Sequence, residues 1–247
     1  LLLCEVNLGG TAIGTGINTH PDYARLAVRH LAELSGKPIV PAANLVEATS
    51  DMGAFVLFSG VLKRLAVKLS KLANDLRLLS SGPRTGFGEI HLPPMQPGSS
   101  IMPGKVNPVI PEAVNQTAFQ VIGNDLAVTM AAEAGQLQLN AMEPLIVYNL
   151  LSSLKMLGTA CRMLEERCIR GIRADRAQCR GHVERSIGVI TALVPHIGYA
   201  NASRIAAQAL TTQATVRELV IAEGLLSAEQ LDRLLSPQAM LAPQVAT

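Results

Sequence analysis

Eight apolar side chains, Phe55, Phe58, Leu62, Leu65, Leu69, Leu72, Leu76 and Leu79, recur at alternating intervals of three and four residues. A stripe of that spacing runs along one side of an α-helix; a strand repeats its faces every second residue and cannot carry it. Lys63, Arg64, Lys68, Lys71, Asp75 and Arg77 occupy other positions around the same segment. At 1.5 Å per residue, about 30 residues predict a rod of roughly 45 Å, stopped by Ser80-Ser81-Gly82-Pro83. A rod with such a seam has to bury it against other helices, and two later segments offer them. Pro111 to Ala134 reads as a helix closed by Gly135, and Pro144 opens another that Gly171 closes. In this last one Val147, Leu150, Leu154, Leu157, Cys161, Leu164 and Cys168 again alternate by three and four. Three long helices with coiled-coil periodicity predict an all-α fold built as a left-handed bundle.

The flanks are less regular. Residues 1–20 are rich in Gly and Thr and read as loop; Asp22–Ser35 reads as a helix behind Pro21, closed by Gly36, with Pro38 and Pro41 marking a connector. From about Ala174 the pieces shorten: Arg176–Leu193, Ala202–Leu210, Val216–Glu223 and Ala228–Leu235, with Ser227 and Gln230 spaced as a capping box. The expected organisation is a helical bundle over 1–175 and a small C-terminal helical domain over 176–247.

Composition narrows the function. Apolar residues make up 49% of the 247, yet aromatics only 3%, so Leu, Ala, Val and Ile do the burying. With 21 basic against 19 acidic residues and no stripe of Lys and Arg, nucleic acid is not an expected partner. The longest stretch without a charged side chain, Ser186 to Ser203, holds Pro195, His196, Gly198 and Asn201, which are costly in lipid, so no membrane span is expected. Cys4, Cys161, Cys168 and Cys179 form no C-x-x-C pair and no metal spacing; reduced thiols in a cytoplasmic protein are the expectation. An opening at Leu1, with no charged-then-apolar leader, reads as part of a longer polypeptide.

Between two of the long helices lies a 25-residue loop, Arg84 to Pro108, in which prolines crowd against Gly and Ser. Loops of that length inside compact domains are usually functional or disordered. It is not a phosphate-binding P-loop: counting back from Gly104-Lys105 puts Ser99 where the first Gly should stand, and Val106 follows the lysine. Gly14-Thr15-Gly16-Ile17-Asn18-Thr19 lacks the third Gly of a dinucleotide fingerprint.

The run Gly98-Ser99-Ser100-Ile101-Met102-Pro103-Gly104-Lys105-Val106-Asn107-Pro108 resembles the signature loop of the aspartase and fumarase superfamily. Glu5–Thr19, residues 47–51, Asn74–Pro83, Gly123-Asn124-Asp125 and Ile197–Pro243 are similar to their counterparts there, so the resemblance spans nearly the whole chain. It implies a long-helix bundle with a small C-terminal domain. It also implies a homotetramer whose active sites are shared between subunits, and cleavage of a C–N or C–O bond of a succinyl compound to release fumarate.

That chemistry removes a proton from the carbon beside a carboxylate, so a base must approach an anion and positive or N–H groups must receive the new charge. The resemblance makes Ser99 the base, acting as an alkoxide, Lys105 a ligand of the substrate carboxylate and Asn107 a contact to its polar groups. Ser100 joins them in binding substrate, with Ile101 and Met102 supporting through backbone contacts. Glu112, on the first turn of the next helix, complements the helix dipole on the residues alone; by resemblance it is a carboxylate that pairs with an active-site histidine. None of His20, His30, His91, His182 or His196 stands in the Thr-His context of that partner, and the other two segments of the family's site are expected outside these residues. His30 and His182 fall in helical patterns, where exposed or satisfied roles are expected. The resemblance implies no organic cofactor, and no ligand cluster for a metal stands out.

The loop does not separate aspartases from fumarases. Pro108–Gln116 and Met130–Pro144 resemble aspartases, with Glu143 where fumarases carry a lysine before the corresponding proline. The expected reaction is therefore conversion of L-aspartate to fumarate and ammonia, with fumarate hydration, or a non-catalytic helical member of the superfamily, as alternatives.

Overall fold

A computed structural model describes residues 2–96, 98, 102 and 104–241. Helices dominate, and the chain divides into two compact units: residues 1–86 with 92–172, and residues 87–91 with 173–247.

In the first unit, two short strands, β1 (Glu5–Val6) and β2 (Val40–Pro41), pair in parallel and are joined through α1 (Tyr23–Ser35). Helix α1 starts one residue later than the sequence predicts, with Asp22 at the cap position and its carboxylate accepting from Arg25 at 2.9 Å. The glycine-rich stretch ahead of it is turn. At Gly14, with φ +87°, a Cβ would fall 2.3 Å from the Leu45 carbonyl oxygen, so no other residue fits against that chain.

The long helices form as the seams predict: α2 (Gly53–Leu79), α3 (Val109–Glu133) and α4 (Glu143–Arg167). Helix α2 ends where Ser80 and Ser81 hydroxyls donate to the Leu76 and Leu78 carbonyls, at 2.7 and 2.6 Å. Helix α3 is the middle of the three. Leu62 and Ala66 of α2, Ala118, Val121, Val128 and Ala131 of α3, and Ile146, Leu150 and Leu157 of α4 form one core with Met52. Polar pairs fix the register within it. The buried Asp125 accepts from Ser59 at 2.8 Å and from Lys63 at 2.6 Å, and Asn115 donates to Ser70 Oγ at 2.9 Å. Across the other face of α3, Asn124 donates to Ser153 at 3.1 Å.

The seam itself divides in two. Leu62 and Leu76 are buried and Phe55 and Leu69 partly so, but Leu65 and Leu72 are 42% and 43% exposed. The line that packs inside the chain is completed by small residues, Ser59, Ala66 and Ala73, which let α3 approach closely. Helix α4 repeats the pattern: Leu150, Leu157 and Leu164 are buried while Val147 and Leu154 face outward. With Phe119, Leu126 and Met130 of α3 and Tyr148 and Leu151 of α4, these residues leave broad apolar faces on the bundle.

The second unit contains β3 (Ile90–His91), antiparallel to β4 (Arg173–Ala174), and the helices α5 (Arg176–Arg185), α6 (Val194–Ile197), α7 (Tyr199–Thr212), α8 (Val216–Ala222), α9 (Ala228–Leu234) and α10 (Pro237–Met240). The helix expected to run to Leu193 stops at Arg185: Ser186 is extended at ψ 124°, and Ile187–Leu193 continues as 3-10 helix. Ile190, Leu193, Ile205, Val216, Val220 and Leu231 make its core. Ser227 and Gln230 form the predicted capping box, and Thr215 with Glu218 forms a second. β3 belongs to the loop that the sequence presents as wholly irregular; its two residues find a ladder partner far along the chain.

Candidate active site

The motif loop leaves α2 and reaches α3, and its described parts show how it is shaped. Its entering arm, residues 87–91, is clipped into the second unit. Beyond the arm, Pro93 packs on Gly171, where a Cβ would lie 2.4 Å from the proline ring. The two ends of the motif then meet: a Cβ on Gly98 would sit 2.9 Å from the Lys105 carbonyl oxygen, so only glycine allows the chain to pass there. Gly104, at φ +83°, takes the left-handed conformation that favours glycine, and the Lys105 N–H donates to the Met102 carbonyl at 3.3 Å. Ser99, Ser100 and Ile101 lie outside the described residues.

Lys105 and Asn107 are both half-buried and lie two residues apart at the mouth of α3. The Asn107 carbonyl accepts the Val109 N–H at 2.9 Å, which turns the chain into the helix. A lysine four residues ahead of the N-terminus of a 25-residue helix adds a cation of the same sign as the helix dipole there, and both favour anions. Met102, on the turn, is exposed. Glu112 occupies the first turn of α3, and its backbone N–H donates to the Pro108 carbonyl at 3.1 Å. Its carboxylate has no ion-pair partner among the described residues. Gly98, Met102, Lys105, Asn107 and Glu112 thus fall along one turn and the helix it feeds.

The histidines sit elsewhere. His30 pairs with Glu33 on the surface of α1. His182 is satisfied by Glu89, with Nδ1 at 2.7 Å from a carboxylate oxygen, and His91 lies 3.2 Å from Asp175. These two pairs escape sequence reading, since their members stand 93 and 84 positions apart. Asp175 also caps α5, accepting from the Gln178 N–H at 2.9 Å. That hydrogen bond, and then the one with His91, hold its carboxyl below the usual aspartate range. A depressed folded-state pKa stabilises the fold above the unfolded value of about 3.9. The contribution is lost as pH falls through the lower folded value. Protection of the Gln178 and Cys179 amides against hydrogen exchange, taken relative to their intrinsic rates at each pH, should therefore fall on acidification below about pH 4 and do so much less in Asp175→Asn, which still caps without titrating. An equal fall in both proteins would show that Asp175 does not set this dependence.

One other sequence lead lies in a separate cavity. Glu143 lines a cavity of about 600 Å³ with Glu5, Glu47 and Asp51, and among the described residues none around it comes from the 84–108 loop. Cys168 is buried behind Pro93 and Pro108, and desolvation pushes its thiol up, away from nucleophile duty. Among the described residues no group of three or more His, Cys, Asp or Glu side chains could hold a metal ion, and no helix is long and apolar enough to cross a membrane.

A family model described as Lyase matches residues 2–123, and one described as Fumarase C C-terminus matches residues 189–242. Over 244 residues, 99% of this chain, the sequence is 68% identical to an aspartate ammonia-lyase of Pseudomonas canavaninivorans, covering 52% of that protein. The chain belongs to the aspartase and fumarase family of lyases. Solved members share its fold. A crystal structure from Brucella melitensis, described as fumarate lyase:delta crystallin bound to cobalt, superposes with a TM-score of 0.93 at 62% identity, covering 98% of this chain and 52% of that one. A class II fumarase from Schistosoma mansoni superposes at 0.89 with 35% identity, over 97% and 53%. The chain spans about half the length of the curated relatives it matches.

Proposed function

We propose that these residues supply one segment of the active site of an L-aspartate ammonia-lyase, with Ser99 as the base. The observation that carries this reading is the intact Gly98–Pro108 motif in a chain 68% identical to a protein of that name but 35% identical to a fumarase. The Ser99 alkoxide takes a proton from Cβ of L-aspartate. The C–H electron pair moves into the adjoining carboxylate and makes a dianionic aci-carboxylate. Its collapse forms the C–C double bond of fumarate, and the Cα–N bond breaks as ammonia leaves with its electron pair. Lys105 holds that carboxylate while its charge grows; opposite unit charges 4 Å apart are worth about 4 kcal/mol at an effective dielectric constant of 20. The same cation, with backbone N–H groups of the turn, stabilises the alkoxide of a serine otherwise too weak an acid. Asn107 and Ser100 bind the substrate's polar groups, Ile101 and Met102 take supporting roles, and Glu112 awaits a histidine from another segment. The steps require no organic cofactor. The test is to follow fumarate absorbance with L-aspartate and with L-malate in the complete polypeptide: production from L-aspartate supports the reading, and production from L-malate alone overturns it.

Assembly follows from the same helices. The apolar faces at Leu65, Leu72, Leu126 and Leu151 exceed what a solvated bundle leaves open, and a homotetramer with a shared helical core would bury them and bring site segments of different subunits together. Light scattering should give four times the protomer mass at micromolar concentration, and a stable monomer there would sink the idea. The four cysteines are unpaired, which suits a cytoplasmic enzyme.

A further inference from the structure

Within the first unit, the chain that leads into the motif meets the end of α4 at a place where a side chain is missing. Helix α4 ends at Arg167 and runs on through the 3-10 turn Ile169–Gly171. That end is tied down: the Cys168 N–H donates to the Leu164 carbonyl at 3.1 Å, and the Gly171 N–H donates to the Cys168 carbonyl at 3.2 Å. The Cys168 side chain is buried. Pro93 lies so close to Gly171 that a Cβ there would fall 2.4 Å from the proline Cγ, with the proline Cβ at 3.4 Å and Cδ at 3.5 Å. Gly171 does not have the positive φ that favours glycine, so close packing is what excludes a side chain. Pro93 in turn stands beside the exit of the motif. With Leu92 it borders a crevice too narrow for a water molecule, whose other walls include Asn107, Pro108, Arg167 and Cys168. All of these residues belong to one compact unit. The corner they share is where the chain turns into α3, with the Val109 N–H donating to the Asn107 carbonyl at 2.9 Å and the Glu112 N–H to the Pro108 carbonyl at 3.1 Å.

We propose that Gly171 is a positioning residue for substrate binding: its bare Cα lets Pro93 seat against the end of α4, and that seat holds the Asn107–Pro108 corner in place. This rests on the reading of Asn107 as a substrate contact. Carbon atoms pack at about 3.5–4.0 Å, so a methyl group at 171 forces a shift of about 1 Å. Gly171 is anchored to α4, whereas Leu92–Met95 have no regular structure. The shift therefore falls on Leu92 and Pro93 and on the walls that they share with Asn107 and Pro108.

The test exchanges volume across the seat. Gly171→Ala overfills it, Pro93→Ala empties it of Cγ and Cδ, and the double variant refills it with a methyl group that faces the remaining Cβ at 3.4 Å. All are made in the complete polypeptide, and three quantities are measured: kcat, KM for L-aspartate, and protection of the Glu112 amide against hydrogen exchange relative to its intrinsic rate. Each single variant should raise KM about tenfold, the low end for weakening a hydrogen bond to a charged group. Turnover should stay within about threefold, the pattern of a contact made equally in ground and transition states. Protection at Glu112 should fall as KM rises, and the double variant should recover most of both. Asn107→Ala should raise KM by itself, and adding Gly171→Ala should raise it no further, because both act through one contact. If Gly171→Ala fails to fold, Pro93→Ala set against Asn107→Ala completes the same cycle. Unchanged KM in a folded single variant, a loss confined to kcat, no recovery in the double variant, or additive losses with Asn107→Ala overturn the proposal. If Asn107→Ala leaves KM unchanged, the reading of Asn107 has failed instead, and Glu112 protection across the single and double variants alone decides for or against the seat.

Discussion

Replacing Ser99 with alanine in the complete polypeptide lowers turnover of L-aspartate by at least about 10²-fold, the low end for removing a group that transfers a proton in the rate-limiting region of a reaction. On the function proposed above the substrate is a dicarboxylate gripped by Lys105, Asn107 and the residues that face them. Deleting one hydroxyl subtracts little from that grip, so KM should move far less than kcat. A loss confined to kcat is the mark of an interaction made only in the transition state. Ser99→Cys is the informative companion. A thiol ionises far more readily than a serine hydroxyl, but sulfur is larger and its thiolate a weaker base, so it should not restore the rate. Steady-state assays of fumarate formation in the two variants are sufficient. Near-normal turnover in Ser99→Ala would mean that another group takes the Cβ proton.

How far the sequence reaches toward this site depends on the range of each interaction. The heptads at Phe55–Leu79 and Val147–Cys168 are local periodicities, and the helices they predict form with ends shifted by a residue or two. Periodicity says which side chains share a stripe, not which half of the stripe its own chain covers. That Ser59, Ala66 and Ala73 line the buried side, with Leu65 and Leu72 turned out, follows from where α3 lies. Ser227 and its capping box are legible because cap and partner are three residues apart; Thr215-Val216-Arg217-Glu218 carries the same signal and could have been read the same way. The halt of α5 at Arg185 is visible only faintly, in the Ser186 and Gly188 that follow. The pairing of Glu89 with His182 has no sequence signal, because nothing local ties a loop glutamate to a helix histidine 93 positions away. Glu143 marks the limit of likeness as a guide: the resemblance makes it the mark of an aspartase, yet its neighbours Glu5, Glu47 and Asp51 are not those of the loop.

Residues 1–247 expressed by themselves form no fumarate from L-aspartate. The reason is one of parts. On the proposed reading the loop brings a base, a cation and an amide through Ser99, Lys105 and Asn107, and the carboxylate of Glu112 stands without an ion-pair partner among the described residues. Three of the five histidines are already engaged: His30, His91 and His182 face Glu33, Asp175 and Glu89. The curated relatives that match are about twice as long, with 52% of the Pseudomonas canavaninivorans protein covered, and the remaining site segments are expected in the other half. Without them the succinate skeleton is not held with its Cβ–H bond toward the base. Orientation of that kind accounts for roughly 7–11 kcal/mol of a barrier, and its loss takes the rate below detection even with Ser99 in place. The apolar faces at Phe119, Leu126 and Leu151 should also make the isolated chain prone to association. Fumarate absorbance after addition of L-aspartate to the purified chain is the measurement, with the Ser99→Ala chain as blank. Mixing in the missing half, expressed separately, should restore fumarate formation if the two assemble. Steady, Ser99-dependent production by the 247 residues alone would show that the site needs no further segment.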